Sequence, residues 1–480
     1  METGNLNVRL RPRYHFLPRK NWMNDPNGTI YYKGEHHLFY QYNPNAAYWD
    51  DMHWGHAKSR DLVHWEELPI ALAPSPELGE RHCFSGCCVI DGERPVIYYT
   101  SVGEFEGSKT MVRSGGSPDA EPVRMGAQQW MAVGSDDLLT WSKIEGNPAL
   151  STAIHGGHDV VDDWRDPFIW KEQDGWHMVL AGTHKHEGCI WLYRSADLSD
   201  WQLLGKLYAE DHVILECPNV VKFGDKYLLI YSVIEERAVK FCYGPLSPDK
   251  RLIVERQGYL DGPNSGYYAT NISIDGDGRV LLWGWINDAA RGGLDVPFDW
   301  SGIQSVPRVI GWSEERGLKI EPAKELETLR GRSAVKQSFS IGGETVDTGI
   351  EGTALDVEVA FRPTAGGTFG VKFLRSPDGL EETAVEVDPA NKRVRIVRER
   401  SSASGRTDAS DVVQTYRSDE PTVSLRLLID QSAVEVFVNG ESCLAARIYP
   451  IREDSRGLYL FAQQAVDIVR FQAWEMKPIG

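Results

Sequence analysis

Several things are missing from this chain of 480 residues. No stretch approaches the ~20 consecutive apolar residues that a membrane-spanning helix requires. There is no run of Lys or Arg, and the net charge is −18, so nucleic acid and anionic membranes are not expected as partners. Cysteines number only seven. An odd count, an adjacent Cys87-Cys88 pair and the lack of CxxC spacing argue against both a disulfide framework and a thiolate metal site. His155 and His158 (HGGHDVVDDW), like His184 and His186 (THKHEG), sit in loop-like segments of irregular spacing, without a helical HExxH, so no metal is expected. Gly115-Gly116 and Gly292-Gly293 do not follow a strand and open a helix, which excludes a phosphate loop. The opening segment METGNLNVRLRPRYHF lacks an apolar core; a cytoplasmic protein is expected, or a secreted one if a leader has been removed.

What is abundant is aromatic. Sixteen Trp and 19 Tyr stand in a chain that is otherwise ordinary, with 41% hydrophobic and 25% charged residues. Core packing in a β protein and sugar-stacking surfaces both account for this, and composition does not choose between them.

One pattern returns five times: NDPNGTIYYKGEHHLFYQY from Asn24, FSGCCVIDGERPVIYYTS from Phe84, RDPFIWKEQDGWHMVLAG from Arg165, ECPNVVKFGDKYLLIYSV from Glu216 and YATNISIDGDGRVLLWGW from Tyr268. Each copy runs from a polar start through an apolar stretch and a Gly/Asp-rich turn into a β-branched and aromatic strand. A second signature, Ser-x-Asp-Leu-x-x-Trp, occurs at Ser59, Ser135 and Ser195, where Asp caps a tight turn and Trp opens another strand. Five units of short strands predict an all-β fold, a five-bladed β-propeller over residues 1–320. Residues 321–334 contain EPAKELETLRGR, with Leu326 and Leu329 on one face and Gly331 as a stop, and are expected to be a helical linker. From 335 to 480 the pattern changes to period-two strands such as ALDVEVAF, VSLRLLID and AVEVFVNG, which predict an antiparallel β-sandwich. SSASGRTDAS from Ser401 reads as a flexible loop. With few clustered acids or His, the sandwich is expected to be structural, and to supply any contact between copies of the chain.

Three of the five repeats carry a carboxylate at their start: Asp25, Asp166 and Glu216. A single Asp-Pro is more often a turn, but three acids at matching places of a radial repeat converge on one axis. Crowded carboxyls repel, and at least one is pushed to a higher pKa. A pair about 5 Å apart suits a nucleophile and a general acid/base for retaining glycoside cleavage, and a third can stabilise an oxocarbenium-like centre.

The segments WMNDPNG, FYQYNP, MHWGHAKSRDLVHW, FSG, WRDP, ECP and WSGIQSVPR, in this order, resemble glycoside hydrolase family 32, the β-fructofuranosidase family of invertases and fructan hydrolases. DQSAVEVFVNG extends the resemblance into the C-terminal sandwich. The resemblance implies that Asp25 is the nucleophile, Glu216 the acid/base and Asp166 the transition-state stabiliser. It also implies that Asn24, Gln41, Trp49, Trp54, Phe84, Ser85, Arg165, Tyr268 and Trp285 shape the sugar pocket. It implies a small sugar as partner and no cofactor, since carboxylates alone carry a double displacement. The chain departs from the family at Asp50-Asp51, read as a solvated loop, and at Gly266-Tyr267-Tyr268-Ala269, where Tyr268 is the expected sugar contact. Cys87-Cys88 and Cys217 are expected to be inert, buried fillers.

The expected reaction is therefore exo-acting release of fructose from sucrose or short fructo-oligosaccharides. A fructosyltransferase, a sucrose-6-phosphate hydrolase, an inverting arabinan-type propeller glycosidase and a non-catalytic fructoside-binding protein are the alternatives.

Overall fold

The computed structural model describes residues 3–113, 121–211, 213–294, 296–336 and 338–479; the Gly115-Gly116 pair lies outside them. Five antiparallel sheets surround a central axis. Their innermost strands are Asn21–Tyr32, Glu80–Asp91, Asp162–Glu172, Leu215–Phe223 and Tyr267–Ile274, and each of the five repeats begins inside one of them. Neighbouring inner strands pack in sequence, and the fifth returns to the first. Trp300–Ser301 closes the ring by pairing parallel to Asn21–Trp22. Blade 2 departs from a simple meander, because Ser108–Val112 takes its edge and Trp141–Lys143 pairs from the side onto Val123–Gly134.

The Ser-x-Asp-Leu-x-x-Trp segments turn the chain from the third-position strand to the outer strand in blades 1 to 3. The Asp carboxylates accept the following backbone N–H groups, as Asp61 does from Val63 and His64. Leu62, Leu138 and Leu198 then adopt φ of 63°, 60° and 66°. A branched side chain in that region costs free energy, offset here by full burial of all three leucines. Blade 4 repeats the turn without its apolar plug: Ser247 donates to Asp249, and Lys250 takes the φ of 66°.

Every inner strand breaks its ladder at the same place. Register is lost between Met23 and Pro26, Cys83 and Gly86, Arg165 and Phe168, Glu216 and Asn219, and Tyr268 and Asn271. Two residues then face one on the partner strand, a β-bulge that re-aims side chains. Side chains stitch the blades together at this level. Thr29 donates to Asn271, Asn219 donates to the Thr270 carbonyl, and the Asp166 N–H donates to Thr100.

The second domain is a two-sheet sandwich with its own apolar interior. The linker is shorter than expected, and it is not an α-helix. Lys324–Leu329 is a 3-10 helix, and Arg330–Lys336 already belongs to the sandwich. Leu326 and Leu329 are both buried, and a spacing of three residues aligns side chains on a 3-10 helix as well as on an α-helix. Gly331 sits in the strand rather than ending a helix. The domains are not beads on a string, because the propeller core continues into Leu428, Ala433, Phe437 and Ala445 of the sandwich.

Polar groups lock the same interface. Arg308 of blade 5 is fully buried and pairs with Glu435 at 2.6 Å and with Asp261 at 2.8 Å. The segment preceding blade 1 is tied to the sandwich: the backbone N–H groups of Arg13, Tyr14 and His15 all donate to the Asp430 carboxylate, at 2.7–2.9 Å. The His15 ring lies between Asp430 (2.9 Å) and Glu435 (3.2 Å). Burial opposes its charge, but the two carboxylates override burial and push His15 up to about 9.

Candidate active site

The bulges deliver the three acids to one end of the channel, but not from equivalent positions. Glu216 is the last paired residue before its bulge, Asp166 the first residue within one and Asp25 the second. The expectation of matching places is corrected by one residue at each step. A one-residue offset on a strand reverses the side-chain direction, so the bulges are what allow all three carboxylates to face the same space.

Asp25 is held by three donors. Ser85 donates to it at 2.6 Å, Asn24 at 2.9 Å and the Cys217 thiol lies 3.6 Å away. Burial raises the Asp25 pKa, and these donors oppose the rise. Trp22 fixes the Asn24 amide by donating to its oxygen at 2.7 Å, which leaves the NH2 turned to Asp25. Asp166 accepts the Cys217 backbone N–H at 2.9 Å and also lies 3.6 Å from the Cys217 sulfur. One sulfur within reach of both carboxylates keeps their oxygens no more than twice that distance apart. Burial pushes Asp166 upward, Arg165 opposes this, and Glu216 and Asp25 reinforce it.

Glu216 lies between two groups of different kind. Arg165 reaches one oxygen at 2.8 Å, and the Tyr268 hydroxyl donates to the other at 2.7 Å. Burial raises the Glu216 pKa; Arg165 and Tyr268 oppose it, Asp25 adds to it, and the net direction is up. Arg165 is buried and oriented by Thr110 at 2.5 Å and Asp163 at 3.2 Å. A carboxyl shifted upward beside a second carboxyl supported by three donors is the arrangement that acid catalysis and nucleophilic attack on one substrate require.

Asp25, Asp166, Glu216, Asn24, Ser85, Arg165 and Tyr268 thus meet as the sequence predicts. Trp285 packs edge-on against Trp22 at 5.7 Å, and both line a cleft of about 950 Å³ with Glu216 and Tyr268. Trp49 and Phe84 make an aromatic edge with centroids 6.0 Å apart. Two residues are placed differently. Trp54 is 0% exposed and donates to the Phe84 carbonyl at 2.9 Å, which corrects its expected role as a sugar platform. Gln41 is buried and its amide donates to the Cys83 carbonyl at 2.8 Å. Both come from blade 1 strands one and two places out from the axis, and both buttress the blade 2 bulge that carries Ser85.

Other residues escaped the sequence reading. Trp22 stands in the same segment as Asp25 and could have been chosen with it. Thr100, Thr110 and Asp163 carry no signal of their own. Cys217 is buried as expected, and burial and then Asp166 and Asp25 push its thiol well up; what the sequence reading missed is that the protonated sulfur lies within hydrogen-bond reach of both acids. The sandwich is not a bystander, since Arg398, Asp408, Ser410 and Arg447 form the far wall of the cleft. The loop from Ser401 is pinned there, with the Asp408 N–H donating to Ala290 and the Arg406 carbonyl accepting from Gly293. Asp51 is exposed and Asp50 half-exposed in a loop. His155 packs on Trp191 and bonds the Tyr193 hydroxyl at 2.7 Å.

A propeller whose bulged inner strands converge three carboxylates and an arginine defines a glycosidase-class site. Residues 15–322 match the model of the glycosyl hydrolases family 32 N-terminal domain, and residues 325–475 match that of the family 32 C-terminal domain. The chain belongs to glycosyl hydrolase family 32. It is 32% identical to an insoluble beta-fructofuranosidase isoenzyme of Arabidopsis thaliana, over 98% of this chain and 90% of that protein. It is 28% identical to a sucrose-6-phosphate hydrolase of Zymomonas mobilis, over 97% and 92%. Among solved structures, fructan 1-exohydrolase IIa from Cichorium intybus superposes with a TM-score of 0.85 at 26% identity, covering 98% of each chain.

Proposed function

We propose that the protein is a retaining, exo-acting β-fructofuranosidase that releases fructose from sucrose or short fructo-oligosaccharides. The observation that carries this reading is the convergence of the acids on different partners: Asp25 accepts from Ser85 and Asn24, Glu216 accepts from Tyr268 with Arg165 at 2.8 Å, and Asp166 shares the Cys217 thiol with Asp25. In the first step an Asp25 oxygen attacks the anomeric carbon of the terminal fructosyl unit. Glu216 passes its proton to the departing glycosidic oxygen, and an ester links Asp25 to the sugar. In the second step Glu216, now ionised, takes a proton from water; the hydroxide displaces Asp25 and free fructose leaves. Asp166 balances positive charge at the anomeric centre. Solved relatives support a sugar as the partner: fructan 1-exohydrolase IIa from Cichorium intybus is described in complex with 1-kestose, and a Bombyx mori β-fructofuranosidase in complex with sucrose.

Asp25→Ala and Glu216→Gln test the assignment with sucrose. Losing the general acid costs about 10²–10⁴-fold, and losing the nucleophile more; turnover at the native level in either variant removes the reading. A second substrate is favoured by one observation. Arg237 is exposed, has no carboxylate partner among the described residues, and lines the same cleft as Glu216 together with Arg291 and Arg398. That wall suits a phosphorylated sucrose, and comparing kcat/KM for sucrose and sucrose 6-phosphate decides between them.

A further inference from the structure

A second concavity, of about 810 Å³, lies between the segment preceding blade 1, the outer part of blade 1 and the sandwich. It shares no lining residue with the catalytic cleft. Its chemistry runs against the rest of the molecule. In a chain of net charge −18, it gathers Arg9, Arg11, Arg13, Arg19, Arg452 and Arg456, against only Glu66, Glu67 and Glu453.

Half of these cations are already paired. Arg9 meets Glu453 at 3.7 Å, Arg19 meets Glu67 at 3.8 Å and Arg452 meets Asp454 at 2.7 Å. Arg11, Arg13 and Arg456 have no carboxylate partner among the described residues. Arg13 and Arg456 are exposed. Arg11 is half-buried, its guanidinium 5.7 Å over Trp300, with one nitrogen donating to the Pro18 carbonyl at 2.6 Å. Burial lowers its pKa, and the carboxylates of Asp299 and Glu67 act on it only from a distance. A guanidinium drawn partly out of water with no carboxylate in ion-pair contact is unfavourable, and the nitrogens that Pro18 leaves free can donate to phosphate oxygens.

We propose that this groove binds a small phosphorylated metabolite, a phosphate monoester whose oxygens are held by Arg11, Arg13 and Arg456, at a site separate from fructoside cleavage. Such a ligand bridges the segment that leads into the Asp25 strand to the sandwich, so it tightens the domain interface. The test is calorimetric titration of the full chain with glucose 6-phosphate, inorganic phosphate and glucose. It uses native protein, the double variant Arg13→Glu/Arg456→Glu, and Arg237→Glu as a control in the catalytic cleft. Expected are saturable binding of glucose 6-phosphate to native protein and to Arg237→Glu, at least tenfold weaker binding to the double variant, no binding of glucose, and unchanged sucrose turnover by the double variant. Absent saturation, retention of affinity in the double variant, or its loss through Arg237→Glu would each overturn the site. Inorganic phosphate binding as tightly as the ester would overturn the assignment of a monoester.

Discussion

Asp430→Ala removes one carboxylate from the sandwich, and the structure sets the cost. Asp430 accepts three consecutive backbone N–H groups and the His15 ring, all but the Arg13 bond fully buried. His15 is held at about 9 against an ordinary value of 6.5, and each pH unit is worth about 1.4 kcal/mol, so the buried imidazolium contributes about 3 kcal/mol. Because the folded pKa is raised, that contribution is complete below pH 6.5 and is lost as pH climbs through 9. Deleting one partner of a buried ion pair costs about 3–5 kcal/mol. Urea unfolding of native and variant protein at pH 6 and at pH 9.5 measures both quantities. The native protein is expected to weaken by about 3 kcal/mol between the two conditions. The variant is expected to be about 3–5 kcal/mol less stable at pH 6, with a much smaller loss on going to pH 9.5, since Glu435 alone remains beside the ring. A variant within about 1 kcal/mol of native at pH 6, or one with the native pH dependence, refutes the staple.

Three other outcomes are expected. Tyr268→Phe removes a hydrogen bond that lowers the Glu216 pKa, so the alkaline limb of the kcat/KM profile moves to higher pH; a limb that stays in place shows that Tyr268 does not act on the acid. Ser85→Ala removes a 2.6 Å donor to Asp25, worth about 1.5–3 kcal/mol to a charged acceptor, so kcat/KM falls about 10- to 100-fold and the acidic limb moves upward; unaltered kinetics contradict the role given to Ser85. Trp54→Phe loses an indole bond and some buried volume, lowering stability by about 1–3 kcal/mol. Its KM for sucrose stays near native, whereas a tenfold rise would restore Trp54 as a sugar platform.

Much of the architecture was legible because a repeat is a local pattern. The five starts at Asn24, Phe84, Arg165, Glu216 and Tyr268 all fall within inner strands, and the Ser-x-Asp-Leu-x-x-Trp turns announce their own capping bonds. The helical linker was legible at Leu326 and Leu329 but its extent was not, because Glu321-Pro322 ends a propeller strand and Arg330–Lys336 opens the sandwich. Trp54 was misjudged because a Trp that supports a bulge and a Trp that meets a sugar look identical in one dimension.

The sequence by itself determined the periodicity, the fold class and the identity of the three acids, because residue type and short-range spacing encode them. Only the tertiary structure decided how those acids are placed. Positions one residue out of step come to face one space because the backbone bulges between paired and unpaired residues. Glu435, a polar position in the alternating run AVEVFVNG, is buried against Arg308, because that face meets a second domain rather than water. The placement of Arg398 and Arg447 on the catalytic cleft has the same origin: pairing between residues distant in the chain depends on how two domains dock, and no local pattern records that.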